Sequence, residues 1–380
     1  MAWPQKTPLE ILDSGRRDNA KRAAATYVKG NPKALEVING LFDRLGEASL
    51  EIRDLEHAKG LDHKKVREVI LGLSDVKPDV PTWIIDPPKA QHSPGVPTLM
   101  ASDWHWGEVV DPEQINGVNK FNLQIAHRRA KALISRTVDL LKNHMVVPNY
   151  PGIVFAIGGD MVSGDIHDEL RESNELATIP TVLDLLEVLC ACVHSLADAF
   201  GHVHIPCVTG NHGRNTLKIR AKGRVHTSYD WLLYCLLERE FKADKRVSFQ
   251  VSSGPDCSYS IFGHRYCLTH GDQFRGGDGM VGALGPILRG DHKKRSRNGQ
   301  IGLEYDTMLL GHWHQYCHLG RVIVNGSLIG YNEYANQGNF GFEQPKQALF
   351  MTHPKHGITF AMPVVLEDSP VKGRKWIDPH

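Results

Sequence analysis

The segment "VHIPCVTGNHGR" (203–214) joins an apolar run to Asn211 and His212, which lie side by side between two glycines. A short apolar run bounded by a turn signal is typical of a strand in a covered sheet. Asn and His also occur in tight turns that have no function. The segment therefore predicts a strand whose carboxyl end carries an amide oxygen and an imidazole, and it does not decide their use by itself.

Four more apolar runs end in the same way, in "SDWHWGE" (102–108), "GGDMVSGD" (158–165), "LTHGDQF" (268–274) and "GHWHQ" (311–315). Because α/β sheets place their sites at strand ends where loops converge, we expect these polar residues to lie close together. Carboxylates, imidazoles and one amide oxygen suit Mn²⁺, Fe or Zn²⁺. They are too many for one ion with open positions and suit two ions that share a carboxylate. The residues are Asp103, His105, Asp160, Asn211, His270, His312 and His314.

The pattern along the chain predicts an α/β fold, because short apolar runs alternate with helical periodicity from about residue 97 to 365. Helices are predicted near 119–143, 174–200 and 227–242. Strands are predicted at 96–102, 152–159, 203–210, 257–271, 305–312, 321–327 and 347–352. We assign 97–365 to one catalytic domain.

The ends of the chain differ from this domain in composition. Residues 1–76 have helical periodicity and predict a small helical domain. Within it, "LEHAKGLDHKKVREVI" (55–70) fits either a helix-turn-helix or an ordinary helical hairpin that docks a partner. Residues 77–96 are rich in proline and predict an extended linker. Residues 366–380 predict a flexible tail.

The five motifs, which span residues 97–330, resemble those of the calcineurin-like metallophosphoesterase superfamily. The segments "GDMVSGDIHDE", "GNHGR" and "HGDQFRGGDG" are similar in sequence to those of phage-encoded members grouped with SbcD-like DNA-repair exonucleases. The resemblance implies two mixed β-sheets packed as a sandwich flanked by helices. It also implies two divalent ions, with Mn²⁺ first and Fe, Zn²⁺ or Ni²⁺ as alternatives, and hydrolysis by metal-activated water.

The same resemblance implies a role for each motif residue. Asp103, His105 and His314 would bind the first ion; Asn211, His270 and His312 would bind the second; Asp160 would bridge them. His212 would be the catalytic residue that meets the phosphate. The family usually has an acidic residue next, whereas this chain has Gly213 and Arg214. Asp103 or Asp165 is then expected to orient His212, and Arg214 either contacts a substrate phosphate or starts a solvated helix.

Two segments that neighbour the motifs could contribute to the site. In "GDIHDE" (164–169), His167 and Asp168 could shape the site, but we expect a helix start with Asp168 near its N-terminus. The glycine-rich "GGDGMVGALGPI" (276–287) predicts a mobile loop over the site.

The charge pattern bears on the substrate. The 44 basic and 43 acidic residues nearly cancel, so any nucleic-acid contact must come from local patches. Two basic runs flank site segments: "RNTLKIRAKGR" (214–224) and "RGDHKKRSR" (289–297), the second expected in a loop. Such runs are often only solvated surface. The candidate nucleic-acid contacts are Arg214, Lys218, Arg220, Lys293, Lys294 and Arg295.

Together these features predict a dinuclear-metal phosphodiesterase, specifically a DNA nuclease of replication or repair. The alternative is a phosphatase or cyclic phosphodiesterase acting on small molecules or phosphoproteins. A DNA-binding protein with a decayed site is disfavoured because every expected ligand is present.

The compartment and the assembly are less fully specified. The chain shows no signal peptide and no apolar run of ~20 residues, so no membrane partner is expected. The seven cysteines are expected to be reduced, in the cytoplasm, or in the host cytoplasm if the protein is phage-encoded. An oligomer is possible.

Overall fold

The computed structural model describes residues 80–86, 95–275 and 282–368. The predicted N-terminal helical domain, the residues 276–281 of the glycine-rich segment and the end of the chain from 369 lie outside the described residues. Strands in chain order are β1 (Val96–Ala101), β2 (Ile153–Ile157), β3 (Val203–Cys207), β4 (Val247–Val251), β5 (Asp256–Ile261), β6 (His264–Thr269), β7 (Thr307–Leu310), β8 (Cys317–His318), β9 (Val322–Val324), β10 (Lys346–His353) and β11 (Gly357–Val365). Helices are α1 (Thr82–Ile85), α2 (Leu123–Asn143), α3 (Asp168–Ser173), α4 (Thr178–Phe200), α5 (Tyr229–Glu240), α6 (Leu284–Gln300) and α7 (Glu333–Gln337).

The strands form two mixed sheets, as the sequence predicted. The six-stranded sheet has the order β11-β10-β1-β2-β3-β4, in which β1 to β4 are parallel and β10 and β11 are antiparallel additions. The five-stranded sheet has the order β5-β6-β7-β9-β8, with β6, β7 and β9 parallel. Parallel strands need crossovers, and helices supply most of them.

Both faces of the central strands are covered, which explains their continuous apolar runs. On one face, Leu99 and Phe155 pack in a core with Leu189 of α4. On the other face, Met100 packs in a second core with Leu309 of the other sheet. The result is a sandwich of two sheets with helices outside, which confirms the predicted fold class.

Helix α4 is long and apolar enough to cross a membrane, judged by length and composition alone. In this structure it contacts β3, α2 and α5, and its residues Leu185, Leu189 and Val193 are buried.

Three local predictions were wrong. The basic run 289–297 lies in helix α6 and not in a loop; its buried face includes Gly290, Lys294 and Asn298, which are not apolar and so hide the helical period. Strands β4, β8 and β11 were not predicted. Part of the expected extended linker forms the short helix α1, whose Ile84 is buried against the second sheet.

Candidate metal centre

The seven predicted ligands lie together where strands of both sheets end. Asp103 and His105 follow β1, Asp160 follows β2, Asn211 follows β3, His270 follows β6, and His312 and His314 follow β7. Five of them have backbone φ in the left-handed region: Asp103 (56°), His105 (46°), Asp160 (51°), His312 (70°) and His314 (53°). Such conformations are costly for residues other than glycine and cluster at functional sites.

One group of donors comprises Asp103, His105 and His314, whose ligand atoms lie within 4.8 Å of one another. The Nε2 atoms of His105 and His314 are 3.1 Å apart, and Nε2 of His314 is 3.4 Å from Oδ1 of Asp103. The backbone N–H of His312 donates to Asp103 Oδ1 at 2.9 Å, so a loop of the second sheet fixes a carboxylate of the first.

A second group comprises Asp160, His270 and His312. Nε2 of His270 lies 2.9 Å from Oδ2 of Asp160 and 3.2 Å from Oδ1 of Asn211. Its Nδ1 lies 2.9 Å from the carbonyl oxygen of Gly158. A carbonyl only accepts, so Nδ1 carries the hydrogen and Nε2 is left to act as a ligand.

Asp160 also joins the two groups, because a third set of donors consists of His105, Asp160 and His212. Asp103 and Asp160 are 0% and 1% exposed, and among the described residues their ion-pair partners are histidines and not Lys or Arg. Buried carboxylates require positive charge close by. The donors therefore fit divalent cations.

The negative charge of these carboxylates raises the pKa of two neighbouring imidazoles. Burial lowers the pKa of His270, but the charge and hydrogen bond of Asp160 outweigh it and raise the pKa to about 10. Burial likewise opposes protonation of His105, yet the hydrogen bond and charge of Glu108, with Asp160 and Asp103, raise its pKa to about 9. The carboxylates thus favour positive charge at the neighbouring imidazoles.

His212 has the opposite electrostatics. Burial lowers its pKa to about 4, only partly offset by Asp160. Its Nδ1 lies 3.2 Å from the carbonyl oxygen of Ser163, and its backbone N–H donates to Oδ1 of Asp160 at 2.6 Å. The expectation that Asp103 or Asp165 orients this ring was wrong: a backbone carbonyl does so. The neutral ring therefore carries its hydrogen on Nδ1 and leaves Nε2 available.

Two acidic residues that support the site were not recognised in the sequence. The first is Glu108, which is 5% exposed. Its Oε2 lies 3.2 Å from Nδ1 of His105, and its Oε1 accepts from Asn332 at 3.0 Å. Glu108 therefore orients a ligand. The only signal was an acid three residues after His105.

The second is Asp230, in the first turn of α5 and fully buried. Its carboxylate accepts the backbone N–H groups of Asp160 (3.1 Å), Met161 (3.2 Å) and Gly210 (2.9 Å). One carboxylate thus holds the loops after β2 and β3 together. Its signal was weak, because a lone acid at a helix start is common.

Asp230 also explains the unusual Gly213. A Cβ added to Gly213 would lie 2.9 Å from Cγ and Oδ1 of Asp230. A side chain at position 213 would therefore force Asp230 to shift. The buried acid therefore comes from α5 and occupies the space beside Gly213.

A cavity of about 340 Å³ opens beside the ligands His105, Asp160 and His312. His167 and Leu170 line it, and His167 precedes α3, where Asp168 stands in the first turn as predicted. The remaining lining comes mainly from 313–315 and 330–343, including Trp313, Tyr334 and Phe340.

The predicted nucleic-acid contacts are placed in two different environments. Lys218 and Arg220 are exposed, whereas Arg214 is half-buried and donates to carbonyl oxygens of Asn211 and Thr216.

On helix α6, Lys294 is 7% exposed and paired with Asp256. Arg295 pairs with Asp291 and stacks over Tyr305. Lys293 is exposed and lines a basic cavity with Arg289 and Arg297. Nucleic-acid contact by any of these residues stays a prediction.

No protein-family model and no curated protein matches the chain. Among solved structures that match is the sulfate thiohydrolase SoxB of Thermus thermophilus in complex with glycerol. It aligns with 10% identity and a TM-score of 0.28 over 73% of this chain and 58% of its own. This chain thus spans less than two thirds of that enzyme. The His/Asp donor groups at the strand ends fit a site for divalent metal ions.

Proposed function

We propose that this protein is a dinuclear-metal phosphodiesterase that hydrolyses DNA, as a nuclease of replication or repair in the cytoplasm. The observation that carries the proposal is the sharing of donors: Asp160 belongs to two of the three His/carboxylate groups, and His105 likewise links two of them. One ion would be held by Asp103, His105 and His314. The other would be held by Asn211, His270 and His312, with Asp160 shared between them.

Two divalent ions, with Mn²⁺ as our first choice, would lower the pKa of water and neutralise the charge of a phosphate. The chain supplies the rest. Asn211 adds a donor oxygen without adding negative charge. Glu108 and the carbonyl oxygen of Gly158 fix the ring orientations of His105 and His270, so that the ligand nitrogens are positioned before substrate arrives.

His212 acts on the phosphate from beside the ligands. With Nδ1–H donating to Ser163, Nε2 is the nitrogen that can meet a phosphoryl oxygen. The negative charge of a bound phosphate favours the protonated ring, against the lowering of its pKa by burial. The protonated ring then donates to the leaving oxygen, a contribution of about 10²- to 10⁴-fold in rate.

DNA is favoured over other esters by the segment that follows His212. Lys218 and Arg220 are exposed there, on a run of 214–224 that Arg224 ties to the site through Asp272 at 2.8 Å. Cations placed in this way can track phosphates of a strand, and neutralising phosphates releases counterions.

A second candidate is a phosphatase or cyclic phosphodiesterase for small molecules. The cavity favours it, because about 340 Å³ is the size of sites that enclose small ligands. A phosphoprotein substrate is the remaining form of this alternative.

The deciding experiment measures hydrolysis by metal-free protein resupplied with Mn²⁺, Zn²⁺ or Ni²⁺. Substrates are a chromogenic phosphodiester, a chromogenic phosphomonoester, and end-labelled single- and double-stranded DNA. We expect metal-dependent DNA cleavage that falls about 10²- to 10⁴-fold in His212→Ala. Hydrolysis of small esters with DNA untouched would favour the second candidate.

The salt dependence of DNA affinity measures how much the basic run 214–224 contributes to DNA binding. DNA affinity should fall steeply with salt, and Lys218→Gln and Arg220→Gln should each reduce the slope of log affinity against log salt by about 1. Lys131→Gln, an exposed lysine on α2, is the matched control and should leave the slope unchanged. Equal slopes in all variants would remove the basic run from the DNA path.

A further inference from the structure

We propose that the cavity beside the metal centre binds a nucleobase, stacked on a wall formed by Tyr331, Tyr334 and Phe340, while the phosphoester reaches the metal ligands. This aromatic wall follows the second sheet, within residues 331–340. The inference rests on the proposed phosphodiesterase function, because the metal ligands are taken to anchor the phosphate.

Two members of the aromatic wall are exposed. Tyr334 is 72% and Phe340 is 50% exposed, yet their rings meet edge to face with centroids 5.8 Å apart. Large aromatic side chains that remain exposed in one place mark interaction sites more often than scattered ones do. Base stacking on such side chains is sequence-tolerant, because every base has a π face.

The base of the wall is held firmly. Arg129 is fully buried and donates to the carbonyl oxygens of Leu328 and Ile329. Asn119 donates to the carbonyl oxygens of Ile329 and Tyr331, at 2.9 and 2.7 Å. The aromatic tips are thus carried on a backbone that does not have to be ordered when a ligand binds.

Other lining residues suit a flat, uncharged group. His167 and Leu170 come from the start of α3, and Trp313 lies between the ligands His312 and His314. A base could therefore be enclosed between the aromatic wall and α3, with its phosphate toward His312.

The charges of the lining decide between a base and a second phosphate. Within the part of the chain that the structure describes, the lining includes Glu108, Glu169 and Glu343 and contains no Lys or Arg. A second phosphate would be repelled by these carboxylates. Glu108 and Glu343 already accept from Asn332 and from the backbone N–H of Tyr316, whereas Glu169 is exposed and can accept from an amino group of a base. An uncharged group with N–H donors fits this lining.

The test compares binding of 2′-deoxyadenosine 5′-monophosphate and 2-deoxyribose 5-phosphate to Mn²⁺-supplied protein by calorimetry, which requires no hydrolysis. We expect the nucleotide to bind at least about 10-fold tighter, as stacking of one base provides. Tyr334→Leu and Phe340→Leu, which keep apolar bulk and lose the ring, should bring the ratio toward one. Val146→Ala is the control, since this apolar side chain is 99% exposed and does not line the cavity, and should keep the ratio.

Two further arms identify the source of the base. The affinity of a single-stranded oligonucleotide ending in adenine is compared with that of one ending in an abasic residue. Tighter binding of the adenine end assigns the cavity to strand ends. A difference in affinity only between the two small ligands assigns it to free nucleotides. Equal affinities in both pairs would overturn the inference. Phenyl phosphate binding as tightly as the nucleotide would also overturn it, in favour of a general aryl site.

Failure of this inference is distinguishable from failure of the proposed function. DNA hydrolysis with equal affinities for the paired ligands removes the base site and keeps the nuclease. Discrimination between the ligands without hydrolysis of any phosphoester keeps the base site and removes the phosphodiesterase.

Discussion

The floor of the site, made by Asp103 and Asp160, differs sharply from the aromatic wall beside it. Both carboxylates are at most 1% exposed and accept backbone N–H groups of neighbouring loops. The tips of the wall, Tyr334 and Phe340, are at least half exposed. The candidate metal ligands are thus fixed by buried backbone hydrogen bonds, whereas the proposed base recognition rests on exposed side chains that can change at little cost to the fold.

Removing the metal should have the largest effect on stability, and this effect should depend on the carboxylates of the floor and not on the aromatic wall. At Mn²⁺ about 1,000-fold above its dissociation constant, binding stabilises the folded protein by about 4 kcal/mol. Thermal unfolding with Mn²⁺ and with a chelator measures this increment. It should vanish in Asp160→Asn and persist in Asp139→Ala, an exposed acid on α2. An unchanged increment in Asp160→Asn would place the metals elsewhere.

Acid is a poor substitute for the chelator, because the interface between the sheets is itself sensitive to pH. Burial lowers the pKa of His204 on β3 to about 4. An unfolded histidine binds a proton near pH 6.5, so this group's stabilising contribution is complete above about 6.5 and is lost as pH falls toward 4. The loss amounts to ~3 kcal/mol. His204→Leu should flatten unfolding free energy over that range; an unchanged slope would assign the acid sensitivity to other groups.

The role of the buried Asp230 can be tested by placing an acidic residue at position 213 instead. Gly213→Asp forces a side chain against Asp230, 2.9 Å from a built Cβ, and should cost about 1–3 kcal/mol of stability. Asp230→Asn leaves backbone N–H groups facing an amide and should weaken metal binding by about 10- to 100-fold.

The double variant Gly213→Asp with Asp230→Ala distinguishes replacement from mere crowding. If the acid at 213 can serve the same loops, metal affinity should recover above that of Asp230→Ala alone. Recovery of stability without recovery of metal affinity would mean that the two positions share space and not a role.

The smallest effects are expected at the wall. Tyr334→Leu and Phe340→Leu remove exposed rings, so each should change unfolding free energy by less than about 0.5 kcal/mol. Denaturant unfolding measures the change, with Val146→Ala, at a side chain that is 99% exposed, as reference. A loss above about 1 kcal/mol at either position would show that the wall is part of the core, and the comparison with the floor would fail.

The sequence predicted the ligand-bearing strands because each combined a buried apolar run with a polar end. Glu108, Asp230 and the carbonyl of Ser163 escaped prediction, since their roles depend on loops that meet only in the fold. The helix at 289–297 escaped because its buried face carries Lys294, satisfied by Asp256. Strand β11 contains Pro363, which is tolerated because β11 is an edge strand.

The hydrogen bonds that reach carboxylates instead of strand partners also affect dynamics. The amides of Asp160, Met161 and Gly210 end on Asp230, and that of His312 ends on Asp103 in the other sheet. Loop amides ordinarily exchange their hydrogens quickly with solvent. Here their exchange requires the loops to part from a buried anion. The loops of the site should therefore exchange as slowly as the strands that carry them.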